Sequence, residues 1–375
     1  MKKYLAILFL TLGGFFGLVI AASSQNQGNE DAVGAVYTMT NAAGPNSVVV
    51  YNRLSDGTLQ PAGTVPTGGS GTGTGLGNQG AIRLDQSGRW LFVVNAGSND
   101  ISVFSAKTDE LELKGRFPSG GTRPISLTVH GRMVYVLNAG TPNNITGFLL
   151  GEEGQLTPIA DSTRSLSAAA TNPAEVEFSP DGHLLVVTEK GTNLIDGFPV
   201  EDRIPRTPVF TPSHGVEPFG FSFGERNQLF VSEAFPGHPN ASALSSYVAD
   251  DDGTLKLVTG SAPTHQTAAC WAAVSKGGQF AYTSNAGSSS VTGFRIGANG
   301  ELTILTANGR TGETRPGSGP LDSAFSNDGR FLYVFASIGT SSRAGVSGFS
   351  VGSDGSLRPI TDVAAPATAN GLAAR

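Results

Sequence analysis

Three stretches of the chain repeat one pattern and decide its fold: WLFVVNAG (residues 90–97), MVYVLNAG (133–140) and FAYTSNAG (280–287). Each is a short run of β-branched and aromatic residues that ends in a turn sequence, which is the pattern of a β-strand. Four weaker copies lie at residues 35–41, 184–189, 229–233 and 331–336. The chain therefore contains seven copies of one strand.

Other strands and turns recur around these copies. A Ser-Pro-Asp-Gly type turn precedes the strand, a Val-Ser-Val-Phe type strand follows it, and an Asp-Gly type turn leads to a further strand. The copies recur every 43 to 54 residues, close to the period of roughly 50 residues that four-stranded propeller blades show. No long stretch of helical periodicity interrupts them. The sequence predicts an all-β, seven-bladed β-propeller with four-stranded blades.

The two ends of the chain hold incomplete copies. The first copy begins at its second strand, residues 35–39, and the last residues, 371–375, look like a first strand with nothing after it. We expect these strands to pair in one blade and close the ring, which removes the exposed edges of an open sheet.

The repeat also separates the two faces of the propeller. In each blade, the loop after the second strand and the loop into the next blade share one face. Long irregular stretches are expected there, at residues 61–80, 160–172, 260–269 and 307–319, whereas the other face carries short turns. Function tends to reside on longer loops held by a rigid scaffold, so we expect a site on this long-loop face.

The N-terminus has the form of a targeting segment. Lys2 and Lys3 precede an apolar stretch that continues to Ile20, and small residues follow at Ala21, Ala22 and Ser23. This predicts a signal peptide at 1–22, a linker at 23–32 and the propeller at 33–375, in a protein exported to the periplasm or outside the cell. A retained anchor is the alternative, since the apolar stretch approaches the length of a membrane span. No stable membrane association is expected after cleavage.

Composition limits the partners. Of 375 residues, 14% are charged and 51 are glycine, and the formal net charge is -6. No run of Lys or Arg provides the clustered basic face that nucleic acid requires, so nucleic acid is not an expected partner. The single cysteine, Cys270, excludes an intrachain disulfide.

The repeat is broken where two blades place carboxylates at the end of the second strand. Thr188-Glu189-Lys190 and Ser232-Glu233 stand where other copies have Asn-Ala-Gly. Local rules tend to fail at functional sites, and hydrolysis of an ester bond needs a base and cations for the developing oxyanion. The candidate catalytic residues are Glu189 and Glu233, and the candidate substrate-binding residues are Arg123, Lys190, Glu217 and Arg315. Alternatively, these are solvated loop charges or ion pairs between blades.

Three other features of the sequence are not assigned a chemical role. Cys270-Trp271 begins a first strand and is interpreted as packing. The five histidines show no metal-ligand spacing, so no metal and no cofactor is expected. Residues 75–80, GLGNQG, fit G-x-G-x-x-G, but this stretch opens no helix and the dinucleotide interpretation fails.

The blade sequences SPDGHLLVV (179–187) and NAGSSSVTGF (285–294) resemble those of the seven-bladed propeller-type lactonase family, which includes 6-phosphogluconolactonases and carboxymuconate cyclases. The resemblance extends over nearly all of residues 33–375. Members often carry Pro-Arg-His before a first strand in the middle of the ring, whereas this chain has Glu217-Pro218-Phe219. An Asp-Leu-Gly-x-Asp stretch of the family is also replaced, by residues 189–193.

The resemblance implies lactone-ring hydrolysis, here outside the cytoplasm. It implies a small-molecule substrate, lactone or carbohydrate-like, and we expect a monomer. A non-catalytic propeller that binds a ligand or protein on the long-loop face is the second hypothesis. Ring closure or opening of a muconate-type substrate is a third.

Overall fold

The protein is a closed ring of seven antiparallel sheets around a central channel. The computed structural model describes residues 32–107, 110–337 and 344–375. The predicted signal peptide and linker lie outside these residues, apart from Ala32, which begins the first strand. Among the described residues, no helix is long and apolar enough to cross a bilayer.

Blade 1 holds both chain ends, and blades 2 and 3 follow it in the sequence. Blade 1 begins with β1 (Ala32–Met39), β2 (Pro45–Leu54) and β3 (Leu59–Ser70). Blade 2 contains β4 (Ile82–Leu84), β5 (Trp90–Asn95), β6 (Asp100–Ala106) and β7 (Leu111–Pro118). Blade 3 contains β8 (Pro124–His130), β9 (Met133–Asn138), β10 (Asn144–Leu150), β11 (Leu156–Pro158) and β12 (Arg164–Ser165).

Blades 4 and 5 form the middle of the ring. Blade 4 contains β13 (Pro173–Phe178), β14 (Leu184–Glu189), β15 (Leu194–Glu201), β16 (Ile204–Pro205) and β17 (Val209–Pro212). Blade 5 contains β18 (Pro218–Phe223), a short 3₁₀ helix (Glu225–Asn227), β19 (Gln228–Glu233), β20 (Ala243–Ala249) and β21 (Leu255–Pro263).

Blades 6 and 7 lead back to the start of the ring. Blade 6 contains β22 (Ala269–Val274), β23 (Phe280–Asn285), β24 (Ser290–Ile296), β25 (Leu302–Ile304) and β26 (Gly312–Glu313). Blade 7 contains β27 (Pro320–Phe325), β28 (Phe331–Ala336), β29 (Gly345–Val351) and β30 (Leu357–Ala364), and β31 (Asn370–Ala374) then enters blade 1. In blades 3, 4 and 6 the fourth strand is split into two short pieces that both pair with the third strand.

Ring closure follows the prediction. Strand β31 pairs antiparallel with β1, through Val36 with Ala374 and Tyr37 with Ala373, so blade 1 is completed by the last strand of the chain. The first strands β4, β8, β13, β18, β22, β27 and β31 each contact those of the neighbouring blades and line the channel. The predicted fold class is confirmed.

The core lies between the blades. The second strands are almost wholly buried, as in β5, β14 and β28, because each side of a central strand packs on a neighbouring blade. Inside the channel, Arg83 of β4 forms ion pairs with Glu175 and Glu177 of β13. This contact joins blade 2 to blade 4 across the first strands.

Two predicted loops are shorter than expected: residues 260–263 of the loop predicted at 260–269 belong to β21, and the loop predicted at 61–80 is shortened in the same way. Residues 61–70 belong to β3, which extends as far as Ser70. The remaining connection into blade 2 is the glycine-rich segment 71–80. It lies at the long-loop end of the channel, since it connects a fourth strand to the next first strand.

Candidate functional site

Arg123 and Glu217 occupy matching positions at the long-loop face. Each immediately precedes the proline that begins a first strand, in β8 and β18, and each has a left-handed backbone with φ of 54° and 58°. The Arg123 N–H donates to Asn99 Oδ1 at 2.7 Å, and the Glu217 N–H donates to Asn193 Oδ1 at 2.7 Å. Non-glycine residues in this conformation store strain of about 1–3 kcal/mol, which tends to be retained at functional sites.

Lys190 follows β14 and lies above the channel wall. Its side chain is buried, with Nζ 4.2 Å from the centroid of the Phe219 ring. The ammonium donates to the carbonyl oxygen of Gly77, the only hydrogen bond of this group within the described residues. At least one N–H of the ammonium therefore remains available for a ligand oxygen.

The charges around Lys190 shape its chemistry. Burial lowers the pKa of Lys190 to about 8, although the nearby Glu217 carboxylate opposes that change and Arg123 adds to it. Burial also raises the pKa of Glu217 above its ordinary value, against the effect of Lys190. The structure thus brings together Lys190, Glu217 and Arg123, three of the four predicted substrate-binding residues.

An aromatic wall supports this cluster. The rings of Phe219 and Trp271 are 5.1 Å apart between centroids, and the Trp271 indole N–H donates to the Asn78 carbonyl oxygen at 2.6 Å. Cys270 is buried beside them, and burial raises the pKa of its thiol to about 12. A thiol with so high a pKa is a poor nucleophile at neutral pH, in agreement with the packing role predicted for it.

Arg315 lies outside the cluster formed by Lys190, Glu217 and Arg123. Its Nε is 2.7 Å from both carboxylate oxygens of Asp362, in the outermost strand of blade 7, and its Nη1 donates to the Ala344 carbonyl at 3.1 Å. The contacts of Arg315 therefore hold it at the outer part of blade 7. The structure does not bring it to Lys190, and its predicted role in substrate binding stays a prediction.

Glu189 and Glu233 point into the propeller wall. Both side chains are 0% exposed. Glu189 accepts hydrogen bonds from the Ser167 N–H at 2.9 Å, the Ser167 hydroxyl and the Thr192 hydroxyl. Ser167 follows the fourth strand of blade 3, so this carboxylate connects blades 3 and 4.

Glu233 makes the equivalent connection between blades 4 and 5. It accepts hydrogen bonds from the Gly215 N–H at 2.8 Å, the Ser261 hydroxyl at 2.6 Å and the Ser245 hydroxyl. Asn95 in blade 2 has the same arrangement, since it bonds to Thr67 of blade 1 and to Ser102. The role of the two glutamates as bases stays a prediction, and their geometry is that of contacts between blades.

Sequence reasoning missed the glycine-rich segment 71–80. Its GLGNQG motif was excluded as a dinucleotide site, but its glycines allow left-handed turns at Gly73, Gly77 and Gly80. These turns carry Asn78 and Gln79 across the channel, where both are buried. Beyond Gln79, a cavity of about 280 Å³ extends past Arg83 to the short-turn face. An unusual run of glycines before a first strand was the available signal.

Sequence reasoning also missed Asp196 of β15. Its side chain is 0% exposed, and neither carboxyl oxygen has a hydrogen-bond partner among the described residues. Burial raises the pKa of Asp196 to about 9, and the adjacent Glu189 charge raises it as well. The corresponding residues in blades 2, 5 and 6 are the hydroxyl residues Ser102, Ser245 and Thr292.

No three or more His, Cys, Asp or Glu side chains are grouped as metal ligands within residues 32–107, 110–337 and 344–375. The long-loop face offers the ammonium of Lys190, the guanidinium of Arg123 and the carboxylate of Glu217 beside an aromatic wall. Such a set can bind an anionic or carbonyl oxygen and take a proton from water.

Comparison with known proteins agrees with the blade sequences. Residues 35–169 match the family model described as Lactonase, 7-bladed beta-propeller. The resemblance to the seven-bladed lactonase family is confirmed over these residues. The match covers blades 1 to 3 in sequence, and no match was found among curated proteins.

Solved structures share the fold of this lactonase-like propeller at low sequence identity. A periplasmic gluconolactonase from Pseudomonas aeruginosa has a TM-score of 0.69 at 17% identity, with 91% of this chain and 98% of that chain covered. A Bacteroides uniformis protein with the provisional name 6-phosphogluconolactonase has 0.69 at 17%, with 91% and 99% covered. A Lactobacillus plantarum protein has 0.70 at 16%, with 91% and 99% covered. These likenesses establish the architecture.

Proposed function

We propose that this propeller hydrolyses a lactone ring on its long-loop face, with Lys190 and Glu217 as the reacting groups. The observation that carries the proposal is the buried ammonium of Lys190. It keeps a free N–H beside a carboxylate whose pKa is raised. The lactonase match and the gluconolactonase neighbour support the same reaction class.

The reaction needs one water and no other reactant. Glu217 takes a proton from the water as the water oxygen bonds to the lactone carbonyl carbon, and Lys190 donates a hydrogen bond to the oxygen that becomes negative. The ring C–O bond then breaks, and the leaving oxygen receives the proton that Glu217 holds. The product is the open hydroxy acid. Arg123, exposed at the rim, binds an anionic group of the substrate.

A panel of lactones, including phosphorylated and unphosphorylated aldonolactones, tests the proposal with purified protein. Removal of an oxyanion donor in Lys190→Met should lower kcat about 10²–10³-fold. Removal of the base in Glu217→Gln should lower it about 10²–10⁴-fold. Lys256→Met is the matched control, because the Lys256 side chain is 73% exposed and forms a surface ion pair with Asp250.

Absence of turnover across the panel would favour the second hypothesis, a non-catalytic propeller that binds its ligand on this face. One observation already favours it. Phe219 follows Pro218 where the Pro-Arg-His stretch implied by the family resemblance would have arginine, so the site lacks that cation. Isothermal titration with the same lactones distinguishes binding without turnover from no binding.

We also propose that the protein is exported and acts as a monomer free of the membrane. Lys2, Lys3 and the apolar stretch that ends at Ile20 support export. The Pseudomonas aeruginosa neighbour is described as periplasmic, which agrees with this location. N-terminal sequencing of the native protein should find a start near Ala22, whereas a chain that still begins at Met1 would favour an anchor. Light scattering of the mature protein tests whether it is a monomer in solution.

A further inference from the structure

The glycine-rich segment 71–80 crosses the long-loop end of the channel and contacts three other blades. The Gln79 side chain donates to the Ala272 carbonyl at 2.7 Å and accepts from the Ala272 N–H at 3.1 Å. The Gln79 N–H donates to the Ala174 carbonyl at 3.1 Å, and the Asn78 side chain donates to the Ile125 carbonyl. The segment that enters blade 2 is thereby fixed to blades 3, 4 and 6.

The wall of the channel is shaped to receive Gln79. A Cβ at Gly220 would lie 2.0 Å from Gln79 Oε1, so any larger residue at this position would displace the Gln79 amide. Gly220 directly follows Phe219, the aromatic residue beneath Lys190. The Gln79 amide of segment 71–80 therefore packs against β18 at the residue next to Phe219.

The same segment holds Lys190 from two sides. Directly, the Gly77 carbonyl accepts the hydrogen bond of the ammonium. Indirectly, the Asn78 carbonyl accepts from the Trp271 indole, and Trp271 packs on the Phe219 ring that supports the ammonium. Gly77 has a φ of 64°, and a Cβ there would lie 3.1 Å from the Lys190 Nζ. The close approach of carbonyl and ammonium therefore depends on this glycine.

We propose that Gln79 is a positioning residue for Lys190, because its paired hydrogen bonds to Ala272 fix the segment that carries the Gly77 acceptor and the Asn78 contact to Trp271. It does not touch the reacting atoms. Its effect on turnover rests on the proposed function, whereas its effect on the environment of Lys190 does not. The segment accordingly acts as a support for the site in addition to covering the channel.

The test measures Lys190 itself, in the full mature protein. Trace acetic anhydride labels each amine at a rate that follows its unprotonated fraction, and peptide mass spectrometry reads the Lys190 label as pH is varied. In the wild type, the pH midpoint of Lys190 labelling should lie near the pKa of about 8 that burial gives this residue. In Gln79→Ala, water reaches the ammonium, and the midpoint should rise toward the ordinary value of 10.5.

Two further variants keep the test decisive. Gln79→Met keeps the volume but removes both hydrogen bonds, so it should raise the pH midpoint of Lys190 labelling too. Gly220→Ala displaces the Gln79 amide without changing it and should act in the same direction, but its Cβ would also lie 2.9 Å from the Cys270 carbonyl oxygen, so Gln79→Met is the deciding variant. Gln155→Ala is the matched control, because Gln155 is exposed in a turn of the opposite face. Where a lactone substrate is found, a displacement of Lys190 should lower kcat about 10²-fold, with KM changed less.

An unchanged Lys190 midpoint in a folded Gln79→Ala or Gln79→Met protein would overturn the proposal. So would an equal shift in Gln155→Ala, since the effect would then be general. A shifted midpoint in a protein that hydrolyses no lactone would sustain the positioning role and reject only the proposed hydrolysis.

Discussion

The ammonium of Lys190 lies 4.2 Å from the centroid of the Phe219 ring. Glu217, two residues before Phe219, is close enough for its charge to act on the same ammonium. A cation on an aromatic face is held without being neutralised, and this contact is worth about 2 kcal/mol where water is excluded. Lys190 therefore keeps its charge for an oxygen of the substrate. The same burial makes that charge sensitive to pH, which leads to the first prediction.

The proposed lactone hydrolysis should have a bell-shaped pH profile. Lys190 is charged below its pKa of about 8, so the donor is lost as the pH rises through that value. Glu217 is ionised only above its raised pKa, so the base is lost on the acid side at a pH above the ordinary value of 4.5. The profile of kcat/KM against pH checks both limbs. Lys190→Arg should move the alkaline limb upward, because guanidinium stays charged. An alkaline limb that stays in place would assign it to another group.

Glu189→Gln and Glu233→Gln should each lower the stability of the propeller. Each carboxylate accepts three hydrogen bonds, and those from Ser167 to Glu189 and from Gly215 to Glu233 join two blades. An amide has one acceptor oxygen and no charge, so the hydrogen bonds at the other position must reverse or break and the charged acceptor is lost, at a cost of about 1–3 kcal/mol. Urea unfolding measures this loss. Glu201→Gln is the control, since the Glu201 side chain is 66% exposed.

A different result for the same two variants would restore their role as bases. If either one abolished hydrolysis while its midpoint of urea unfolding stayed at the wild-type value, the buried carboxylate would have to be accessible during turnover. The present contacts would then describe only the resting state of the enzyme.

Deletion of residues 371–375 should open the ring. These residues supply most of β31, which pairs with β1. The deletion also removes the Arg375 carbonyl, which accepts from Arg53 Nε at 2.9 Å. The edge of β1 and the channel wall at β4 would then be exposed, so Tm should fall and aggregation should rise. Thermal scans and light scattering of the mature protein measure both. Unchanged melting and solubility would mean that β31 does not hold the ring together.

The sequence predicted the fold well because the repeat has a physical cause. Strands such as β5 and β9 are buried on both sides, so each is mostly apolar and each ends in a turn residue. Seven copies of that requirement identify seven blades without any knowledge of side-chain contacts. The same argument located the ring closure, because an incomplete first copy needs a strand from the other end.

The site was predicted only in part. Register placed Lys190, Glu217 and Arg123 on one face, and the structure brings them together. Register does not say whether a residue at a strand end points to solvent or into the wall, which is why the burial of Glu189 and Glu233 was not foreseen. The contribution of Gln79 could not be predicted either, since it depends on contacts with Ala174 and Ala272, distant in the sequence.

Asp196 should make the propeller less stable at alkaline pH. Its folded pKa of about 9 is raised from the ordinary value of 3.8, chiefly by burial and then by the charge of Glu189. A carboxyl with a raised folded pKa contributes stability that is fully present below 3.8 and is lost as the pH rises through about 9. At neutral pH, protonated Asp196 can donate to Glu189, as the Ser245 hydroxyl donates to Glu233 in blade 5.

Asp196→Ser would give blade 4 the serine that blade 5 has at this position, Ser245. A serine hydroxyl does not ionise in this pH range. We expect the free energy of unfolding of the wild type, measured in urea, to fall between about pH 7.5 and about pH 10 relative to that of Asp196→Ser. Ser245→Ala, which removes the hydroxyl beside Glu233, should instead lower stability equally at both pH values. A wild-type curve parallel to that of Asp196→Ser would mean that Asp196 does not change its protonation over this range.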